Sequence, residues 1–67
     1  MRQTPETPAP AASRLWTIEE TSTYLGIPVG TLYQWRTRGR GPRSYRVGRW
    51  VRYDPAEVRQ WLDSQAA

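Results

Sequence analysis

The chain contains neither cysteine nor histidine. Without cysteine, no disulfide and no thiolate metal site can support a fold. Without histidine, the usual zinc ligand and the commonest general base at neutral pH are missing too. Six carboxylates remain, but no spacing among them suggests a catalytic pair. No enzyme activity, metal or cofactor is therefore expected. Long apolar runs are also lacking, the longest being two or three residues, far short of the roughly 20 that a spanning helix needs. With no signal-peptide pattern either, the expected location is the cytoplasm. Sixty-seven residues allow one small domain at most.

Lysine is absent as well, so all ten basic residues are arginines and the formal net charge is +4. Acids are missing from one long stretch. Between Thr21 and Tyr53 there is no Asp or Glu, yet Arg36, Arg38, Arg40, Arg43, Arg46, Arg49 and Arg52 all fall there. Such segregation makes one electropositive face, which attracts polyanions through Coulomb forces and counterion release. Arginine also suits planar, bidentate contact with phosphate or guanine. A merely solvated basic surface is the alternative.

Residues 1–13 carry Pro5, Pro8 and Pro10 among small and polar residues. They offer too little apolar surface to offset ordering entropy, so a disordered arm is expected. Order should begin at Leu15-Trp16. Thr17-Ile18-Glu19-Glu20 reads as a capping box opening a helix that Gly26 ends, with Ile18, Ser22 and Leu25 on its inner face. Only Gly26, Ile27 and Pro28 separate it from a second helix running from about Val29 to Arg38 and stopped by Gly39. That is the connection length of a helix-turn-helix. Gly30 inside the second helix costs roughly 1 kcal/mol relative to alanine.

Ser44–Val47 and Trp50–Tyr53 read as two short strands. Parity favours a three-residue loop, Val47 to Arg49, which pairs Arg46 with Trp50 and Tyr45 with Val51. Tyr45, Val51 and Tyr53 would then face inward, and Ser44, Arg46, Trp50 and Arg52 outward. Asp54-Pro55-Ala56-Glu57 opens a last helix, with Asp54 as cap, Pro55 first and Glu57 three after the cap. Val58, Trp61 and Leu62 form its apolar stripe, and fraying is expected at 65–67. The fold class is mainly α with a small β-hairpin, a winged helix-turn-helix over residues 14–64. Its expected core draws on Leu15, Trp16, Ile18, Leu25, Ile27, Leu32, Trp35, Tyr45, Val51, Tyr53, Val58, Trp61 and Leu62.

Several spaced signatures agree with this reading: Leu25-Gly26-Ile27-Pro28 with Thr31-Leu32-Tyr33, then Gly39, Tyr45-Arg46-Val47-Gly48, Arg52 and Trp61-Leu62. Together, over residues 15–62, they resemble the excisionase family of DNA-binding proteins, within the wider group that has a MerR-type winged helix-turn-helix. The resemblance implies a recognition helix in the major groove of double-stranded DNA and a wing over the adjacent minor groove or backbone. It also implies side-by-side self-association on repeated sites, DNA bending, and an integrase directed toward excision. Related small proteins regulate transcription instead. The chain departs from the family pattern at Pro28, where Ser or Thr is common, at Val29-Gly30, where polar or basic residues often lie, and at Ser22, where Ala is usual.

On the second helix, Thr31, Tyr33, Gln34 and Thr37 are the expected outward face. Thr31 and Gln34 are the candidates for base contact, because recognition helices read mainly from their N-terminal part. Arg36 and Arg38 suit phosphate positioning. On the wing, Arg43, Arg46, Arg49 and Arg52 are the candidate contacts, with Arg49 at the tip. Trp50 either stacks at the DNA or lies over an inner residue. A protein- or RNA-binding adaptor is the reading from another class.

Overall fold

A computed structural model describes residues 14–66. The expected arm, 1–13, and Ala67 lie outside the described residues. The order of elements is β1 (Trp16–Thr17), α1 (Ile18–Leu25), α2 (Val29–Thr37), β2 (Tyr45–Val47), β3 (Trp50–Tyr53) and α3 (Pro55–Ser64). This is a mainly α winged helix-turn-helix, with three helices around a small antiparallel sheet.

Local chemistry fixes the helix starts. Thr17 caps α1: its hydroxyl accepts from the Glu20 amide at 3.0 Å, while the Glu20 carboxylate accepts from the Thr17 N–H at 2.9 Å. Both ends of a capping box are thus satisfied. Gly26 closes the helix with φ +71°, its N–H donating to the Ser22 carbonyl. The corner is tied again where the Ser22 hydroxyl donates to the Ile27 carbonyl. Asp54 caps α3 by accepting from the Ala56 N–H, with Pro55 in the first position. The Glu57 side chain is used elsewhere, as an acceptor for the Tyr45 hydroxyl at 2.7 Å.

Arg14 reinforces the first cap, its guanidinium gripping both Glu20 oxygens at 3.1 and 2.6 Å. That pairing, followed by the Thr17 amide, lowers the Glu20 pKa to about 2. A depressed carboxylate stabilises the fold above its unfolded pKa and loses that contribution as pH falls through the folded value. Thermal melts followed by circular dichroism should therefore give a melting temperature that drops between about pH 4.5 and 2. Glu20→Gln should flatten that part of the drop and lower the plateau above it.

The sheet differs from expectation in two ways. It has three strands in the order β1-β3-β2, because Trp16 and Thr17 pair with Tyr53 and Arg52. Two residues are too few to show a period of two, so β1 left no pattern in the sequence. The hairpin also uses a two-residue loop: Val47 pairs with Trp50, Arg46 with Val51 and Tyr45 with Arg52. Gly48 is the reason. With φ +63° it takes the first loop position of a tight turn, a geometry that matches strand twist. Paired residues share a face, so Arg46 joins Val51 and Tyr53, whereas Tyr45 joins Val47, Trp50 and Arg52. The mixture of polar and apolar residues that argued against this register is tolerated because the tip has no core behind it. Val47 and Trp50 are 51% and 56% exposed.

The centre of the core is Ile18, Leu32, Tyr53 and Val58, with Trp16, Leu25, Ile27, Val29, Trp35 and Val51 packed around it. Leu15, expected inside, is 43% exposed. It precedes β1, and no periodic element turns it inward. Tyr45 is half-buried on the opposite sheet face from Tyr53. Thr21 takes the central place on α1 instead, fully buried, its hydroxyl donating to the Thr17 carbonyl at 3.0 Å. A buried hydroxyl satisfied within its own helix adds no unpaired group to the core.

Trp35 and Trp61 make a second cluster, ring centroids 5.6 Å apart. Gly41 passes beneath it at φ +78°, and a Cβ there would lie 2.7 Å from Trp35 Cε3. Gly41→Ala should thus combine left-handed strain with displacement of the Trp35 ring, for a loss of about 2–4 kcal/mol. Gly39→Ala is the control, since φ is +69° there but no atom lies within 4 Å of the added carbon. It should cost about 1–2 kcal/mol. Urea titrations of both variants measure the difference.

Candidate nucleic-acid interface

Helix α2 buries Leu32 and turns Tyr33, Gln34 and Thr37 to the outside, while Thr31 is half-buried. Tyr33 is 46% exposed, and the Thr37 hydroxyl is occupied by the Tyr33 carbonyl at 3.1 Å. Pro28 gives the helix no side-chain cap, and its first turn holds no acid. A Cβ on Gly30 would meet nothing within 4 Å, so nothing inside the described protein requires glycine there. Arg38 ends the helix, exposed.

Arg36 is held differently. It is half-buried, and its Nε donates to Ser44 Oγ at 3.1 Å, linking α2 to the segment entering the hairpin. It also lies close enough to Tyr53 to oppose the upward shift that burial gives the Tyr53 hydroxyl. Four residues of separation from Leu32 place it on the same side of the helix, so this one arginine is fixed by packing.

Strand β1 covers only Arg52 and Tyr53 of β3, which leaves the edge at Trp50 and Val51 open. Along this edge a cleft of about 460 Å³ separates the wing from the helices. Arg36 and Tyr33 line it from α2, and Arg46, Arg49, Trp50, Val51 and Arg52 from the hairpin; Thr17, Ile18 and Glu19 form its floor. Four guanidiniums thus surround a groove that holds a single carboxylate, Glu19. Arg46 and Val51 line it from one sheet face and Trp50 and Arg52 from the other, so the groove runs around the hairpin. The Arg46 Nε donates to the Gly48 carbonyl at 3.2 Å.

Trp50 lies outside the core. Its ring sits beneath two guanidinium carbons, Arg49 at 5.1 Å and Arg52 at 5.8 Å from the centroid. Arg43 points into different company. Its guanidinium is 3.8 Å from Glu57 and 5.0 Å from the Tyr45 ring centroid, turned toward α3 and still largely exposed. The Glu57 hydrogen bond is also the first cause of the raised Tyr45 pKa. Of the residues singled out in the sequence, the cleft gathers Tyr33, Arg36, Arg46, Arg49, Trp50 and Arg52. Thr31, Gln34, Thr37, Arg38 and Arg43 lie outside its lining. Ser44, which positions Arg36, gave no signal in the sequence because its partner is eight residues away on another element.

Among the described residues, no group of three or more acidic side chains gathers as a metal site would require. No helix there is long and apolar enough to cross a membrane. A helix pair joined by a tight corner, with a wing and a groove rimmed by arginines, defines a DNA-binding helix-turn-helix module. Residues 17–66 match the model of the family described as helix-turn-helix domain, and the chain belongs to that family. No curated protein matches it.

Proposed function

We propose that the protein binds double-stranded DNA sequence-specifically as an excisionase. It would occupy repeated sites side by side, bend the DNA and direct an integrase toward excision. The observation that carries the DNA-binding mode is the cleft between α2 and the wing, with Arg36, Arg46, Arg49 and Arg52 around one groove. A phosphate backbone running along that groove would meet four guanidiniums, each a fork suited to phosphate oxygens. Thr31 and Gln34 read base edges, with Tyr33 and Thr37 beside them. Arg36 and Arg38 set the helix on the backbone, and the wing arginines extend the contact to the next groove. Arg43 adds less, because it lies outside the cleft, turned toward Glu57. The protein acts by binding alone, without catalysis or cofactor.

The excisionase role is supported by the likeness of residues 15–62 to that family. Footprinting of the purified protein on DNA around its own gene tests it. Evenly spaced protected segments beside an integrase attachment site are the expected result. Protection confined to a promoter would instead make the protein a transcription regulator, and no protection of any fragment would defeat both readings.

A further inference from the structure

The tip of the wing carries an apolar pair that arginine–phosphate contact leaves unused. Val47 and Trp50 are cross-strand partners on one face, 51% and 56% exposed. Large apolar groups exposed side by side on a small domain mark a contact surface more often than isolated ones do. Their surroundings restrict the occupant. Arg49 and Arg52 lie within 6 Å of the Trp50 ring, Arg46 is on the neighbouring strand, and no acid occurs from Thr21 to Tyr53. A second copy of this hairpin would bring like charges together across the pair. An apolar protein surface would leave the guanidiniums without counter-charges.

A polyanion with an apolar surface between its charges satisfies both requirements. Duplex DNA has that character at the groove wall, where deoxyribose carbons lie between successive phosphates.

We infer that the Val47–Trp50 pair is a non-ionic contact surface, seated on the deoxyribose wall of a DNA groove while Arg49 and Arg52 hold the flanking phosphates. This rests on the DNA-binding reading above and adds a second, chemically distinct part to it. The two parts have different salt signatures. Each phosphate contact contributes about −0.9 to the slope of log K against log salt, whereas apolar contact contributes nothing to it.

The test is fluorescence anisotropy of a labelled duplex carrying the footprinted site, over a salt series, with the full chain. Trp50→Ala should weaken binding on the order of tenfold or more, with its salt slope equal to that of the unmutated protein. Trp50→Phe should recover most of the loss. Val47→Ser should show a smaller loss of the same kind, and it keeps the question answerable should Trp50→Ala fail to fold. Arg49→Ala should instead reduce the slope by about 0.9. Trp50→Ala binding as tightly as the unmutated protein, while Arg49→Ala binds more weakly, would overturn the inference and leave DNA binding intact. A slope that falls in Trp50→Ala as it does in Arg49→Ala would also overturn it, since the ring would then only hold arginines in place. So would concentration-dependent dimers, seen by sedimentation without DNA and lost in Trp50→Ala. Failure of the unmutated protein to bind any duplex would defeat the underlying reading instead.

Discussion

Replacing Arg46, Arg49 and Arg52 together by alanine is expected to weaken duplex binding at least about 100-fold at moderate salt. It should also bring the slope of log K against log salt from about −4.5, the value for five neutralised phosphates, to about −1.8. The two readouts are linked. Each lost guanidinium removes a charge-assisted contact and also the counterions which that contact had released. Among the described residues the side-chain hydrogen bonds of Arg46 and Arg52 go to the nearby carbonyls of Gly48 and Val51, Arg52 also lies over the exposed Trp50 ring, and the turn itself is set by the backbone of Gly48. The hairpin should therefore persist, and the melting temperature of the triple variant should stay within a few degrees of the original. Arg36 is left out of the set on purpose. Its bond to Ser44 and its place beside Tyr53 make its removal a change in packing as well as in charge. Anisotropy titrations at four or five salt concentrations give the slope directly. Intact affinity in the triple variant would favour the adaptor reading, in which the arginines meet an acidic protein or RNA.

What could be read from the sequence divides by the range of the interaction. The capping box at Thr17–Glu20, the Gly26 stop and the Asp54-Pro55 start each involve partners within four residues. Their signals are therefore local, and the helix boundaries followed from them. The hairpin register depended on which of two local arguments won. Alternation of apolar residues favoured a three-residue loop, but the positive φ of Gly48 set a two-residue turn, and the unbacked tip removed the penalty for mixing. That slip moved Tyr45 off the core face, where its hydroxyl meets Glu57, and put Arg46 on the face of Val51 and Tyr53.

The arginine-rich composition of the site was plain from the missing acids, but its grouping was not. Arg43 and Arg46 are three residues apart in one basic block, yet one pairs with α3 and the other lines the groove. Only the fold separates them. Trp50, open to either reading from sequence, is outside the core because the tip extends beyond it.

Leu32→Ala should be the most damaging single substitution in the fold. Leu32 is 1% exposed at the centre of the core and is the only fully buried side chain that α2 contributes. Removing three carbons there should cost about 2–5 kcal/mol, depending on how far the neighbours relax. A domain of this size has a total stability of roughly 3–8 kcal/mol. The variant should therefore unfold at much lower urea, with a sizeable unfolded fraction in buffer. Leu32→Met, which conserves volume, should lose less than about 1.5 kcal/mol. DNA binding should fall with the folded fraction, yet the salt slope should not change, because every arginine contact is still made once the chain folds. Saturating duplex should also raise the melting temperature of Leu32→Ala, since a ligand that binds only the folded state draws the equilibrium toward it. Urea titration by circular dichroism, repeated with and without the footprinted duplex, checks both points. A loss of affinity accompanied by a shallower slope would mean that Leu32 also sets the position of the wing arginines. The core and the charged surface would then be one unit, contrary to the separation that the local hydrogen bonds of Arg46 and Arg52 indicate.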